Sequence, residues 1–456
     1  MSPLNHDDEQ PILAPPSKYR TLSDLPPELL HAIISCVKSN RKALRASSLV
    51  CRSVRAVAVE YFFPIGVAVT NVTSMDDLVS FLQHANPTLG NNIRWLRLSG
   101  KKGDRELPLT TVDAAVMARL LPLVPNLTSL HLTHFIYTLP LQPLSPSVSH
   151  AQEDTPTGPF HLRSLTVGSG LYATRHHKSS VSGLFRILSL FSVDTLDPWR
   201  CAGEFDTSAP LDPAALHRPL RIAKLDRIEE DWDSDCAVFL VKAFKEGIEP
   251  GVLESLGATC CSTAMVAAFG ELLAHGGASL TRLDVSGRPV WSSDRRCHVK
   301  DPLDSHWHAL NLASCPKLES IAISIYLGRA SYDNPQSADF ESDVPALSLA
   351  GVGMLSQAPC TLHRVIISLL DLPNVETLYD RRILRLEEFD KAITPSRFPV
   401  LKEVILEVSL DSDVAKHWDH DGFGWDDILT GVRRALPSLH TRGLLNFDSG
   451  AAKRST

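Results

Sequence analysis

Hydrophobic and polar positions follow two different rhythms along this chain, with the change near residue 65. Before it, Leu29, Leu30, Ile33, Ile34 and Val37 recur at i, i+3 and i+4, the spacing of an amphipathic helix. Ser23 or Asp24 can cap that helix, the prolines at 26 and 27 fit its first turn, and Glu28 suits its positive dipole end. Ser39-Asn40 interrupts the pattern, and a second helical stretch carries Leu44, Leu49, Val50, Val54 and Val57. Pro64 stops it, because proline has no N–H to continue a helix. Two or three short helices in about 40 residues bury little surface by themselves. Such a piece needs a neighbouring domain or another protein to pack on.

From Ile65 the texture is that of strands and helices in alternation. Residues 65–69 read as a strand, followed by a helix capped by Ser74 with Leu78, Val79 and Leu82 inward. An apolar-x-x-apolar-x-apolar element then returns at Ile93-Leu96-Leu98, Leu127-Leu130-Leu132, Leu162-Leu165-Val167, Leu253-Leu256-Ala258, Leu280-Leu283-Val285, Leu318-Ile321-Ile323, Leu362-Val365-Ile367 and Leu401-Val404-Leu406. A degenerate copy sits at Leu220-Ile222-Leu225, and Leu439-His440 opens a last one. The 91 residues from 162 to 253 leave room for one or two degenerate units. Helix-like segments ending in a proline turn precede several copies, as in AAVMARLLPLVPN before Leu127. Helix, turn and short strand in repetition are the unit of a solenoid that buries its leucines between neighbours. The spacings of 27 to 44 residues exceed the roughly 20–29 of ordinary leucine-rich repeats, so the expected solenoid is irregular. Ser/Pro/Asp/Gly-rich segments at 139–159, 194–219 and 327–345 read as exposed insertions.

Composition narrows the function classes. Of the 456 residues, 44% are hydrophobic and 21% charged, which fits a folded chain. A net charge of -7 offers no basic stripe, which argues against nucleic acid as partner. The nine cysteines are scattered without a CxxC pair, as expected of reduced thiols in the cytoplasm or nucleus. The N-terminus is acidic and lacks an apolar stretch, and no run approaches the roughly 20 apolar residues of a membrane span.

With Leu25-Pro26-x-Glu28-Leu29, Ile33, Leu44 and Leu49-Val50-Cys51-Arg52 in place, residues 22–64 resemble the F-box, as found in fungal F-box proteins with leucine-rich C-terminal regions. The resemblance is close over about a tenth of the chain and loose over the leucine-patterned remainder. It implies a substrate receptor of an SCF-type cullin ubiquitin ligase. The helical module would bind the Skp-type adaptor and the C-terminal domain would hold a protein substrate. By position, Leu25, Pro26, Leu29 and Ile33 would contact the adaptor, with Leu49, Val50 and Cys51 on the second helix helping. The chain departs from the family at Val54, where a Trp is usual, three residues after the Cys.

The leucines themselves are core. Recognition would use the positions between them, on the exposed face of the strands: Arg94, Trp95, Arg97, Thr128, His131, Arg163, Arg282, Asp284, His363, Arg364 and Lys402. Arg and aromatic side chains are favoured at protein hot spots, and Trp95 stands out. Catalytic signals are poor. His275-Gly276-Gly277 reads as a helix-ending turn, since no GxSxG elbow accompanies it, and neither a Walker A nor a GxGxxG motif occurs. Cys297-His298 with His306 and His308 matches no standard metal site, and Asp419–Gly422 lacks the ligand ladder of a calcium loop. The acidic run 226–235 reads as a solvated loop. The expectation is therefore a short tail (1–21), an all-α module (22–64), an irregular α/β solenoid of parallel strands and helices (65–446) and a tail (447–456), with no cofactor, metal or catalytic residue. Two further readings are a scaffold that assembles no ligase and, less favoured, an enzyme on an α/β domain.

Overall fold

The computed structural model describes residues 25–62, 66–84, 87–100, 110–139, 158–168, 178–198, 205–208, 211–228, 234–260, 262–287, 303–326, 340–372, 378, 384–410 and 425–449. Three helices open it: α1 (Pro27–Ser35), α2 (Arg41–Ser47) and α3 (Arg52–Phe62). Pro26 stands at the start of α1, with no side-chain cap; Ser23 and Asp24, expected there, lie outside the described residues. Asn40 does more than interrupt: its side chain accepts from the Ala43 amide at 3.1 Å and starts α2. Leu30, Ile34, Leu44, Val54, Val57 and Ala58 form a small core of their own, with Leu25, Val37, Cys51 and Tyr61 packed against it. The module thus has an interior as well as an outer surface.

The rest is α/β. Twelve parallel strands form one sheet in strict sequence order. They are β1 (Gly66–Val72), β2 (Trp95–Gly100), β3 (Ser129–Thr133), β4 (Phe160–Val167), β5 (Phe191–Asp197), β6 (Arg221–Ile228), β7 (Ser255–Thr259), β8 (Arg282–Gly287), β9 (Ser320–Tyr326), β10 (Arg364–Leu372), β11 (Glu403–Leu410) and β12 (Leu445–Ser449). Helices return the chain between strands, among them α4 (Met75–His84), α5 (Pro87–Asn92), α6 (Ala114–Leu120), α7 (Val181–Leu188), α8 (Ser234–Gly247), α9 (Thr263–Gly276), α10 (Phe340–Gln357), α11 (Leu386–Ala392), α12 (Trp425–Ala435) and α13 (Pro437–Thr441). Each strand pairs only with its predecessor and successor in this sheet, so each unit hides its apolar face on its neighbours, as in a solenoid.

The leucine rows line up across the sheet. Leu96 faces Leu130, Leu130 faces Leu165, and at the far end Ile321, Val365 and Val404 continue the row. All of these are buried in one continuous core with the inward faces of the helices. Ser74 caps the α4 start through its bond from the Asp77 amide at 3.2 Å, and Val79 is fully inside with Leu78 and Leu82 beside it. Two short parallel pairs, 111–112 with 136–137 and 179–180 with 205–206, form beside the main sheet.

Four boundaries differ from the sequence expectation. The gap between 162 and 253 holds two strands, β5 and β6; β5 opens on Phe191 and Val193 instead of the leucine spelling, and it occupies the first residues of the supposed insertion 194–219. Phe340 to Pro345, expected in a loop, begins α10. Leu439 lies in α13, because Asp390 caps that helix by accepting from the Ser438 and Leu439 amides (3.1 and 2.9 Å); the final strand starts at Leu445. That strand runs to Ser449, past the boundary at 446. Residues 140–157, 327–339, Cys297, His298 and 419–422 lie outside the described residues, as do 229–233 of the acidic run. His275 and Gly276 do end α9, and the Gly277 that follows has an ordinary negative φ of -74°. No described helix is long and apolar enough to cross a membrane.

Candidate functional site

Two surfaces collect the residues that the sequence marks out. The first is on the helical module. Along α1, apolar side chains occupy two adjoining faces, so one face can close the module's core while the other stays outside. Leu30 and Ile34 go inward, whereas Leu29 and Ile33, one turn apart, are exposed. Leu49 and Val50 are also exposed, and they lie in the turn between α2 and α3, not on a helix. The turn is fixed by Arg55, whose Nε donates to the Ser48 carbonyl at 2.8 Å, and by the Ser48 hydroxyl, which donates to Arg45 at 2.8 Å. Pro26, at the start of α1, is also exposed, while Leu25 and Cys51 are half-buried against the module core. Four of the seven exposed large hydrophobic side chains among the described residues therefore fall in this one small module. Val54 belongs to the interior instead, at 4% exposure. The position at which the resembled sequences usually carry Trp is thus interior in this chain.

The second surface is the open face of the sheet. Side chains alternate across a strand, so if the leucine rows face the helices the intervening rows face outward. The row that begins at Trp95 runs through Ser129, Ser164, Thr195, Lys224, Ser255, Arg282, Ser320, Arg364 and Glu403. The next outward row contains Arg97, His131, Thr166 and Asp197, and farther along Asp284, Ala322, Ile366 and Ile405. Residues just before the strands form a leading row: the Thr128 amide donates to Arg94 and the Arg163 amide to Thr128, both at 2.8 Å. His363 and Lys402 close the same row at the other end, with the Lys402 amide donating to His363 at 2.8 Å.

The register separates the candidates into two groups. Arg94, Trp95, Arg97, His131 and Arg163 lie together on β2 to β4 and the residues leading into them. Arg282, Asp284, His363 and Arg364 lie on β8 to β10, well along the sheet. Within the first group Trp95 and His131 meet edge to face, ring centroids 5.5 Å apart, and the Ser129 and Ser164 hydroxyls share a hydrogen bond at 2.6 Å. Partial burial, aided by the Arg97 charge, holds the His131 imidazole below the ordinary histidine pKa, which favours its neutral form. In the second group Arg364 is already ion-paired with Glu403, and Ser368 donates to Glu407 at 2.7 Å.

No protein-family profile and no curated protein matches this chain. The two surfaces therefore stand on their own geometry. Among the described residues no group of His, Cys, Asp and Glu is arranged to hold a metal ion. The sequence could not distinguish ion-paired from unpaired arginines among its candidates. Glu403 and Glu407, the partners of Arg364 and Ser368, escaped notice because they stand one unit, 39 residues, downstream.

Proposed function

We propose that this chain is a non-catalytic receptor that joins a protein substrate to a ubiquitin ligase core. The helical module would dock on a Skp-type adaptor and its cullin through Leu29 and Ile33 of α1, the exposed Pro26, and the Leu49-Val50 turn. The open face of the sheet would hold the substrate. The observation that carries this reading is the division of α1: its module keeps a closed core of its own and still presents four large apolar side chains to solvent. The sheet order supports the second half. Among the described strands the order never reverses, which differs from the doubly wound sheets whose switch points hold ligands. A long open strand face remains, suited to an extended protein surface. Acceleration would come from effective concentration, the substrate being held near the ligase's charged ubiquitin.

Mixing the full chain with the Skp-type adaptor and cullin and measuring mass by light scattering tests the docking. A stoichiometric complex that weakens with Pro26→Ala or Leu29→Ala is the expected result. Failure of the chain to retain the adaptor at micromolar concentration sinks the ligase half of the proposal.

A further inference from the structure

The charge on the open face of the sheet is uneven along its length: cations alone on the first four strands, both signs from the fifth onward. The residues of β1 to β4 include no Asp or Glu, whereas Arg97 lies on β2, Arg163 on β4, and Arg94 just ahead of β2. From β5 onward acids enter: Asp194, exposed, and Asp197, half-buried, on β5, the half-buried Asp226 on β6, and the exposed Glu254 before β7 and Glu319 before β9. Beyond the boundary three cations are engaged, while Arg282 and Lys402 are exposed without an ion pair among the described residues. Arg221 pairs with Glu249 at 3.3 Å, Lys224 with Asp226 at 3.4 Å, and Arg364 with Glu403. Arg94, Arg97 and Arg163 are all exposed, and none has an ion-pair partner among the described residues. The acid nearest to Arg163 in register, Asp194, pairs with His161 at 3.6 Å instead.

Register fixes the size of this patch. Arg94 and Arg163 share the leading row two strands apart, roughly 10 Å at about 4.8 Å per strand, and Arg97 lies three residues along β2, roughly 10 Å at about 3.3 Å per residue. The Trp95–His131 pair lies between them. Guanidinium groups present planar forks that take carboxylates in pairs of parallel hydrogen bonds. We propose that β2 to β4 form the part of the open face that captures a short, extended, carboxylate-rich segment of a protein partner, with Arg94, Arg97 and Arg163 taking its acidic side chains and Trp95 and His131 forming the floor beneath it. The acids from β5 onward limit the acidic stretch to a few residues and favour basic residues beyond it. A nucleic acid strand fits less well, since its phosphates would run on over the acidic strands of a chain with net charge -7. The proposal rests on the receptor reading above and adds the chemistry of what is received.

The test uses the full chain with its adaptor and a short fluorescein-labelled polyglutamate peptide followed by anisotropy. The expected result is saturable binding that weakens as salt rises from about 0.05 to 0.3 M, and that falls at least about tenfold in the triple variant Arg94→Glu/Arg97→Glu/Arg163→Glu. Arg364→Glu, at the far end of the sheet and already paired in the parent, should change it less than about twofold. Single Arg→Ala variants with parental thermal unfolding serve if the triple variant misfolds. Equal binding by parent and all these variants overturns the proposal. So does capture of a phosphoserine peptide or a single-stranded oligonucleotide with no capture of polyglutamate. Adaptor retention is read in the same samples. Lost peptide binding with retained adaptor overturns this inference alone, and lost adaptor with retained peptide binding overturns only the docking half of the receptor reading.

Discussion

Replacing Leu29 and Ile33 together by Ala separates a docking role from a folding role. In the structure these side chains are 51% and 47% exposed, so about half of each remains to be buried by a partner. Full burial of a Leu or Ile side chain contributes about 1.5–3 kcal/mol, and half of that is about 0.7–1.5 kcal/mol each. The pair is then worth about 1.5–3 kcal/mol of adaptor binding, a roughly 10- to 150-fold rise in Kd. Because both positions face water in the free chain, and Ala is the best helix former, unfolding should shift by no more than about 0.5 kcal/mol. The neighbouring change Leu30→Ala makes the opposite case. Leu30 is 3% exposed in a core of six buried residues, where such a truncation costs about 2–5 kcal/mol and would melt the module. Calorimetric titration with the adaptor, paired with far-UV circular dichroism melts, reads both quantities. A folded Leu29→Ala/Ile33→Ala chain with parental affinity would refute the assignment of the outward α1 face. A melted one would refute the claim that this face is idle in folding.

Four other outcomes follow from the packing and the titrating groups. Val54→Trp, which restores the family's residue, should destabilise the module by about 1–3 kcal/mol, because that site is interior; a chemical melt checks it, and a gain in stability would contradict the burial. Gly270→Ala should lower the melting temperature markedly, since a Cβ there would fall on the Ala309 carbonyl where α9 packs on the short helical segment Leu303–Leu310; the penalty is at least about 1–3 kcal/mol. The Cys315 thiol, pushed up to about 12 by burial, should resist alkylation in the native protein while exposed Cys36 and Cys360 react, as mass spectrometry of iodoacetamide adducts would show. For His131, whose folded pKa lies below its unfolded value near 6.5, the unfolded chain takes up the proton first. Its contribution to stability is complete above about pH 6.5 and is lost as pH falls toward the folded pKa, so His131→Asn should flatten that part of the stability–pH curve.

Much of this was legible in the sequence, for a physical reason. The rows Leu130, Leu165, Leu283 and Val365 are buried in every unit, so each must be apolar and the spacing of two along a strand betrays it. Where another side chain fills the same space, the pattern breaks: Phe191 and Val193 of β5 do the work of leucines without their spelling. Helix or loop was harder to tell at Phe340–Pro345 and at Leu439, because capping by Asp390 and packing against distant units settle those segments. The site was half legible. Alternation put Arg97, His131 and Arg364 on the outward face, but whether an arginine is free depends on an acid a whole unit away, as Glu403 is from Arg364. Likewise the helical period grouped Leu29, Leu30, Ile33 and Ile34 as one apolar set, and only the packing of α1 on α3 divides them into core and surface.

The two surfaces share an energetic signature that ordinary packing does not produce. Exposed apolar side chains on α1 contribute little to folding, and three uncompensated arginines on β2 to β4 and the residue before them oppose it slightly. At about 10 Å in water each arginine pair repels by about 0.4 kcal/mol, which salt at physiological strength mostly removes. Neither arrangement is needed to hold the solenoid, whose stability lies in the leucine rows and the helix faces behind them. Elsewhere on the same sheet the chain neutralises several of its cations with neighbours, as at Arg221–Glu249, Lys224–Asp226 and Arg364–Glu403. Strands β2 to β4, which carry arginines and no acid of their own, have a natural place for an external acid. A module that closes its own core while keeping Leu29, Ile33, Leu49 and Val50 outside has a natural place for an external apolar surface. The physical case for a two-ended receptor is that both features gain their free energy only when a partner supplies what the chain itself does not.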